Sequence, residues 1–279
     1  LDMRKPKGKI STQRKETDDF VITSGVFNGY TCGTPVHITI ENKTQRSGDY
    51  QPNLPRPSHA DYAAHVKYNG FEDYRGGGHF SGRITLGLVA AGVIAKKIIA
   101  PVEICSELVE VGGRTDIDEC IRETMQRHDS VGGLVTCSCK NVPVGLGEPF
   151  FDSLESEIAH IIFSIPAVKS IEFGSGIAAA KMYGSQHNDM IIDADGTTKT
   201  NYAGGINGGI SNGNEITFRL AVKPTASISL AQETYNFASG QVEPLEIAGR
   251  HDACIAVRVP VVVECATAIV LADLSLRMQ

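Results

Sequence analysis

Apolar residues recur along the chain in two different periods, and the switches between them mark the elements. Val36, Ile38 and Ile40 alternate with His37, Thr39 and Glu41, and Ile216, Phe218, Leu220 and Val222 alternate with Thr217, Arg219 and Ala221. A period of two belongs to strands with one buried face. Leu134 to Lys140 and Ala253 to Val257 are further candidate strands. Between Asp152 and Ile165 the apolar Leu154, Ile158, Ile161, Ile162 and Ile165 follow i, i+4, i+7, i+8 and i+11, the stripe of an amphipathic helix. Asp152 is its expected N-cap, with Glu155 three residues on, and Pro166 is its stop. Ser81 to Ala100 reads as helix up to Pro101, Thr115 to His128 as a shorter amphipathic helix, and Val261 to Met278 as a buried C-terminal helix. Strands grouped in antiparallel fashion and separated by helices imply an α+β layered fold rather than a doubly wound sheet. Residues 42–57, with Pro52, Pro55 and Pro57, form the longest irregular stretch, the kind that in a compact domain usually carries function.

Composition narrows the class. At 42% hydrophobic and 21% charged, the 279 residues can bury a core, and disorder is excluded. No apolar run reads as the roughly 18 residues of a membrane span, and Leu1 to Lys5 lacks the apolar stretch of a signal peptide. A cytoplasmic protein without membrane contact is expected, and a start at Leu1 rather than Met leads us to expect a missing N-terminal segment. Seven cysteines at irregular spacing argue for reduced thiols. Cys137 and Cys139 share a strand face, no second pair follows at zinc spacing, and the expectation is buried structural thiols and no metal.

A net charge of -6 makes nucleic acid a poor partner. Local charge points elsewhere. Arg4, Lys5, Lys7, Lys9, Arg14 and Lys15 crowd the start, and Arg75, Arg83 and Arg250 sit in glycine-rich stretches, as a small, multiply anionic ligand would require. Of the glycine runs, Gly204-Gly205-Ile206-Asn207-Gly208-Gly209 favours ligand contact, because glycine lets backbone N–H groups come close. Arg56-Pro57-Ser58-His59-Ala60-Asp61 and Gly249-Arg250-His251-Asp252 each combine a guanidinium, an imidazole and a carboxylate in a loop, groups suited to holding an anion and moving a proton. Taken singly, each is as readily a surface turn; the repetition favours function. Lys223-Pro224-Thr225-Ala226-Ser227 offers a cation and two hydroxyls to a phosphate, whereas Walker, Rossmann and G-x-S-x-G signatures are absent.

These strings, together with Ser11 to Arg14, Ser24 to Phe27, Gly33 to Pro35, Gln45 to Tyr50, Tyr74 to Gly78, Ala95-Lys96-Lys97 and Gly145 to Pro149, stand in an order that resembles chorismate synthase over nearly the whole chain. The family's G-E-S-H-G segment, with one of its two catalytic histidines, is not in this sequence. His79-Phe80-Ser81-Gly82-Arg83-Ile84 replaces the usual Arg-Ser-Ser-Ala-Arg-Glu, and the stretch between Lys97 and Asp118 is shorter than in many members.

The resemblance implies a β-α-β sandwich as one large domain, assembled as a homotetramer. It also implies a lyase of the shikimate pathway in which 5-enolpyruvylshikimate 3-phosphate loses phosphate and a ring proton by anti-1,4-elimination, with reduced FMN and with NADP as an associated nucleotide. Carried over by position, His59 and Asp252 are the catalytic residues. Arg56, Arg83 and Arg250 hold the substrate, joined by Arg4, Lys9 and Arg14. FMN contacts fall at His79, Phe80, Ser81, Pro166, Ala167, Gly208, Lys223, Pro224, Thr225, Ala226, Ser227 and Arg250. Two alternatives follow: a flavin- or anion-binding protein without turnover, should the missing segment be truly absent, and a flavin oxidoreductase with its own net redox reaction.

Overall fold

The computed structural model describes residues 1–5, 17–42, 51–247 and 251–278. In chain order the elements are β1 (Phe20–Ser24), β2 (Val26–Phe27), β3 (Tyr30–Thr31), β4 (His37–Ile40), α1 (Asp61–Lys67), α2 (Thr85–Ile98), β5 (Glu103–Val111), α3 (Ile117–Gln126), β6 (Gly133–Lys140), α4 (Leu154–Ile162), β7 (Val168–Phe173), α5 (Gly184–His187), β8 (Ile206–Asn207), β9 (Ile210–Ser211), β10 (Ile216–Val222), β11 (Gln232–Asn236), β12 (Gln241–Leu245) and α6 (Val259–Arg277).

The centre is a four-stranded sheet in the order β5-β6-β10-β7, antiparallel throughout. The alternation read in the sequence is what β10 uses: Ile216, Phe218, Leu220 and Val222 are buried, and the residues between them are only half-buried. Opposite them on β6 stand Cys139, Cys137, Val135 and Gly133, so small side chains face large ones across the ladder. Cys137 and Cys139 are buried as expected, and all seven cysteines are free thiols. Contact with Cys139 first, and burial second, push the Cys137 thiol well above its usual range.

Helix α6 packs on β5 and β6 and helix α4 on β7, while α2 packs on α6, which also touches α4. The remaining strands form two-stranded ribbons: β1 with β4, β2 with β3, β8 with β9 and β11 with β12. The α+β architecture is the one expected, with the helical layer packed on one broad sheet.

Several boundaries differ from the sequence reading. Ala253 to Val257 is not a strand: residues Ile255–Arg258 form a 3-10 turn leading directly into α6, whose first turn Pro260 accommodates because a helix leaves its first N–H groups unbonded anyway. Helix α4 is capped by Ser153, whose hydroxyl accepts from the Ser156 N–H, while Asp152 takes a left-handed φ of 58°. The C-terminal helix also overturns the reading that no apolar stretch is long enough to span a membrane. Residues Ile255–Arg277 are long and apolar enough by length and composition, with an 18-residue stretch of mean hydropathy 2.1. Here 67% of that apolar stretch is buried inside the protein, the state of a central core helix.

Helix α6 can be buried this deeply because α2 presents Gly92 to it. A Cβ at Gly92 would lie 2.3 Å from Cys265 Cβ and 2.6 Å from its Cα. Five residues earlier in the same helix, a Cβ at Gly87 would meet nothing within 4 Å. Gly92→Ala should therefore destabilise the protein by about 1–3 kcal/mol through overpacking. Gly87→Ala should stabilise it by up to about 1 kcal/mol through helix propensity. Denaturant midpoints of the two variants check this; equal effects would contradict the packing argument.

Candidate active site

The antiparallel order of the sheet brings several chain ends to one edge. Strand β10 finishes at Val222, where β6 and β7 begin, so that Val222 stands beside Gly133 and Val168. Lys223, just past β10, donates its backbone N–H to Ala167 just before β7 (2.9 Å). Ala167 holds this position with φ 74°, and it follows Pro166 in the turn between α4 and β7. At the same edge the Thr225 hydroxyl donates to the Asp252 carbonyl (3.2 Å), and the Ser130 hydroxyl to the Thr225 carbonyl (2.7 Å). A Cβ on Gly132 would strike Val222 O at 2.7 Å and Pro224 at 3.3 Å, so glycine lets this edge close.

A second loop docks onto this edge. Residues 51–60 are pinned to the β11–β12 ribbon by Thr234 Oγ1 donating to Pro55 O (2.6 Å) and Phe237 N–H to Asn53 O (2.9 Å). Lys223 Nζ donates to both the carbonyl and the hydroxyl of Ser58, a residue with φ 59°. Arg56 Nη1 donates to Ser227 Oγ (3.2 Å). The bonds Arg56 to Ser227, Lys223 to Ser58 and Thr225 to Asp252 thereby bring this loop, the residues after β10 and the segment before α6 together, with Ala167 bonded to the Lys223 backbone. Pro224 and Ala226 lie between these anchored residues.

Within the loop, Asp61 accepts from Arg56 at three points, the backbone N–H (2.9 Å), Nε (2.8 Å) and Nη2 (2.8 Å), and lies 2.5 Å from His59 Nδ1. Burial alone would raise the Asp61 pKa, but the hydrogen bonds from Arg56 and His59 outweigh it and hold the carboxyl well below the usual carboxylate range. Lys223 is lowered from the ordinary lysine value by burial first and by Lys169 second. Asp252 forms a two-point pair with Arg258 Nη2 (2.9 and 3.1 Å). In the sequence Asp61 stands out only as the carboxylate of its motif, with no site role of its own, and Arg258 does not stand out. The R-P-S-H-A-D spacing holds the signal for the first, while the second ends the 3-10 turn Ile255–Arg258, where the sequence suggests a strand up to Val257.

The cations are less available than their number suggests. Arg83 pairs with the buried Asp18 (3.0 Å). Arg4 is itself buried, donating to Thr85 Oγ1 (2.9 Å) and Gly82 O (2.7 Å), and so ties the N-terminal turn to the start of α2. Ser81 caps the turn before α2 by accepting from the Arg83 N–H. His79 and Phe80 line a cavity of about 280 Å³ that also reaches Arg56 and Asp61, with Tyr68, Phe71 and Phe237 among its walls.

The structure keeps Gly208 apart from this cluster. It lies at the tip of the β8–β9 hairpin, where Gly209 O accepts from Leu154 N–H at the start of α4. Pro166 and Ala167 follow the other end of that nine-residue helix, roughly 13 Å away at 1.5 Å per residue. Packing, rather than ligand contact, accounts for most of this glycine run. A Cβ at Gly204, Gly205 or Gly209 would strike backbone at 2.4–2.6 Å, and only Gly208, with φ 61°, faces open space. Lys9, Arg14, Arg250 and the Gln45 to Tyr50 motif lie outside the described residues.

A family model described as chorismate synthase matches residues 1–276. A chorismate synthase of Chitinophaga pinensis is 56% identical over 282 residues, an alignment covering 100% of this chain and 85% of that protein. One from Dehalococcoides mccartyi is 45% identical, with 99% and 85% covered. One from Korarchaeum cryptofilum is 41% identical, with 98% and 85% covered. A crystal structure of chorismate synthase superposes with a TM-score of 0.71 at 26% identity, covering 93% of this chain and 78% of that one.

The electrostatics of the loop give a testable pH dependence. Asp61 binds its proton less tightly folded than unfolded, so its contribution to stability is complete above the unfolded carboxylate value of about 3.9 and is lost as pH falls toward its lower folded value. The stability gap between the parent and Asp61→Asn should therefore be full near pH 7 and narrower at about pH 3, measured by urea unfolding. A gap that widened on acidification would contradict the assignment.

Proposed function

The chain belongs to the chorismate synthase family, lyases that convert 5-enolpyruvylshikimate 3-phosphate to chorismate with reduced FMN, and we propose how its own residues divide that work. The carrying observation is the convergence of three separate segments, through Arg56 to Ser227, Lys223 to Ser58 and Thr225 to Asp252, on one sheet edge. A substrate with two carboxylates and a phosphate needs several N–H and O–H donors close together, and this edge supplies them.

The residues fit FMN on two counts. Lys223 and the hydroxyls of Thr225 and Ser227 form a donor set suited to a phosphate group, and the cavity beside Arg56 has aromatic walls, including Phe80, suited to a flat ring. Phe80 thus keeps a ring-contact role where the family has a hydroxyl, and His79 lines the same wall. Reduced FMN, when bound, supplies an electron-rich ring beside which phosphate departs and the ring proton is taken.

The chain's own residues do the rest. Arg56 is already paired with Asp61, so it meets an anion with its remaining N–H donors rather than with a bare charge. His59 stands at the rim of the same loop, in reach of a proton exchanged with the ring or the substrate. Asp252, negatively charged like the substrate, is held by Arg258 and serves the proton-transfer step rather than binding. Arg83, Arg4, Lys9, Arg14 and Arg250 complete the substrate side, and Ser81, Pro166 and Ala167 the cofactor side.

Gly208 belongs to this reading through assembly. A homotetramer would bring the β8–β9 hairpin of one copy toward another and would cover the ribbons β1–β4 and β2–β3, whose Phe27 and Tyr30 are 72% and 79% exposed.

Turnover measured anaerobically with reduced FMN tests the roles. His59→Ala should lower kcat by roughly 10²–10⁴-fold with the fold intact. Asp252→Asn should bind substrate about as well as the parent in calorimetric titration yet lose single-turnover rate. Activity close to that of the parent in His59→Ala, or weakened binding with a normal bound-state rate in Asp252→Asn, would overturn the assignment concerned.

A further inference from the structure

Asp61 stands at the first position of α1 and collects four donors on one carboxylate. Oδ2 accepts from the Arg56 backbone N–H (2.9 Å) and from Nε (2.8 Å). Oδ1 accepts from Arg56 Nη2 (2.8 Å) and faces His59 Nδ1 at 2.5 Å. An ionised carboxylate only accepts, so at that distance His59 Nδ1 must carry a hydrogen. Arg56 Nη2 also lies 3.0 Å from the same nitrogen. A guanidinium only donates, so Nη2 could bond to Nδ1 only in the other tautomer, which would set the Nδ1 lone pair 2.5 Å from a carboxylate oxygen; the shorter contact, to the charged group, decides between them. The charge-assisted contact therefore selects the Nδ1–H tautomer of neutral His59, with the Nε2 lone pair turned away from Asp61.

The same carboxylate fixes the guanidinium. Arg56 Nε and Nη2 form a fork on Asp61, and Nη1 points to Ser227. We infer that Asp61 is the positioning residue of this site: it selects the tautomer that makes Nε2 the working nitrogen of His59, and it aims Arg56 across the sheet edge toward Ser227. The inference deepens the proposed function and rests on His59 being the proton-handling group. Asp61 touches neither reacting atom; it acts through the two residues it holds, as the outer partner of an imidazole sets which nitrogen is free.

Two measurements test it. In protein labelled with ¹⁵N-histidine, with the His59 signals assigned by comparison with His59→Gln, the neutral ring should show a protonated Nδ1 and an unprotonated Nε2. Asp61→Asn, which keeps the side-chain shape but loses the charge and one acceptor, should shift His59 toward the Nε2–H tautomer and lower kcat by at least about 10²-fold. Loss of an enforced tautomer can cost up to about 10⁴ in kcat. The KM for substrate should change less than kcat. The parent spectrum decides even if the variant folds poorly. An Nε2–H tautomer in the parent would overturn the inference, as would an Asp61→Asn protein in which only KM rises and the ¹⁵N pattern stays. Should His59→Ala keep full turnover while the parent shows the Nδ1–H form, the proposed role of His59 fails and the tautomer assignment stands.

Discussion

A helix apolar on every side must be covered on every side, and α6 imposes that constraint on the whole chain. Val261, Val263, Ala266, Val270 and Leu271 point in different directions, and all are buried. The sheet covers one side, α2 closes to backbone contact at Gly92, and α4 covers another. The only ion pair among the described residues to join α2 to α6 is Lys96 with Glu264 (2.6 Å), and the same glutamate accepts from the Ser106 N–H of β5 (3.2 Å). A single carboxylate so satisfied ties three elements together at a depth where an unpaired one would be costly.

The site inherits its position from that packing. Because α6 begins where β6 and β7 start and β10 stops, the segment before it, with Asp252, is delivered to the same edge as Lys223 to Ser227. The Val131 N–H bond to Ala253 O (2.8 Å) locks this approach. Function is then concentrated in loops held by rigid elements, the usual division between scaffold and chemistry. The charged groups of the site are paired in advance: Arg56 with Asp61, Arg83 with Asp18, Arg258 with Asp252. Pairing lowers the net pull on an anion but fixes where each remaining N–H points, which suits a reaction that depends on orientation.

Much of this was legible in the sequence, for identifiable reasons. The period-two pattern of residues 216–222 predicted β10 because one face of that strand is buried and the other is not. The stripe of α4 was equally plain, while its cap was misassigned, since Asp152 and Ser153 are both good caps and only backbone geometry chooses between them. The turn at Ile255–Arg258 was read as a strand because a short apolar run carries no periodicity to separate the two. The partners of the functional groups were the least legible. Ser227 lies 171 residues from Arg56, and Asp18 lies 65 from Arg83, so neither pairing leaves a local trace. The glycines near 204–209 misled because close backbone packing and ligand approach demand the same residue.

The central claim is that one sheet edge gathers His59, Lys223, Ser227 and Asp252 around a single ligand pair. A crystal structure with FMN and 5-enolpyruvylshikimate 3-phosphate both bound tests it most directly. The account predicts the flavin ring and the substrate lying between His59 and Asp252, with phosphate oxygens within hydrogen-bond distance of Lys223 or Ser227. Ligands seated elsewhere, with neither His59 nor Asp252 in contact, would contradict it.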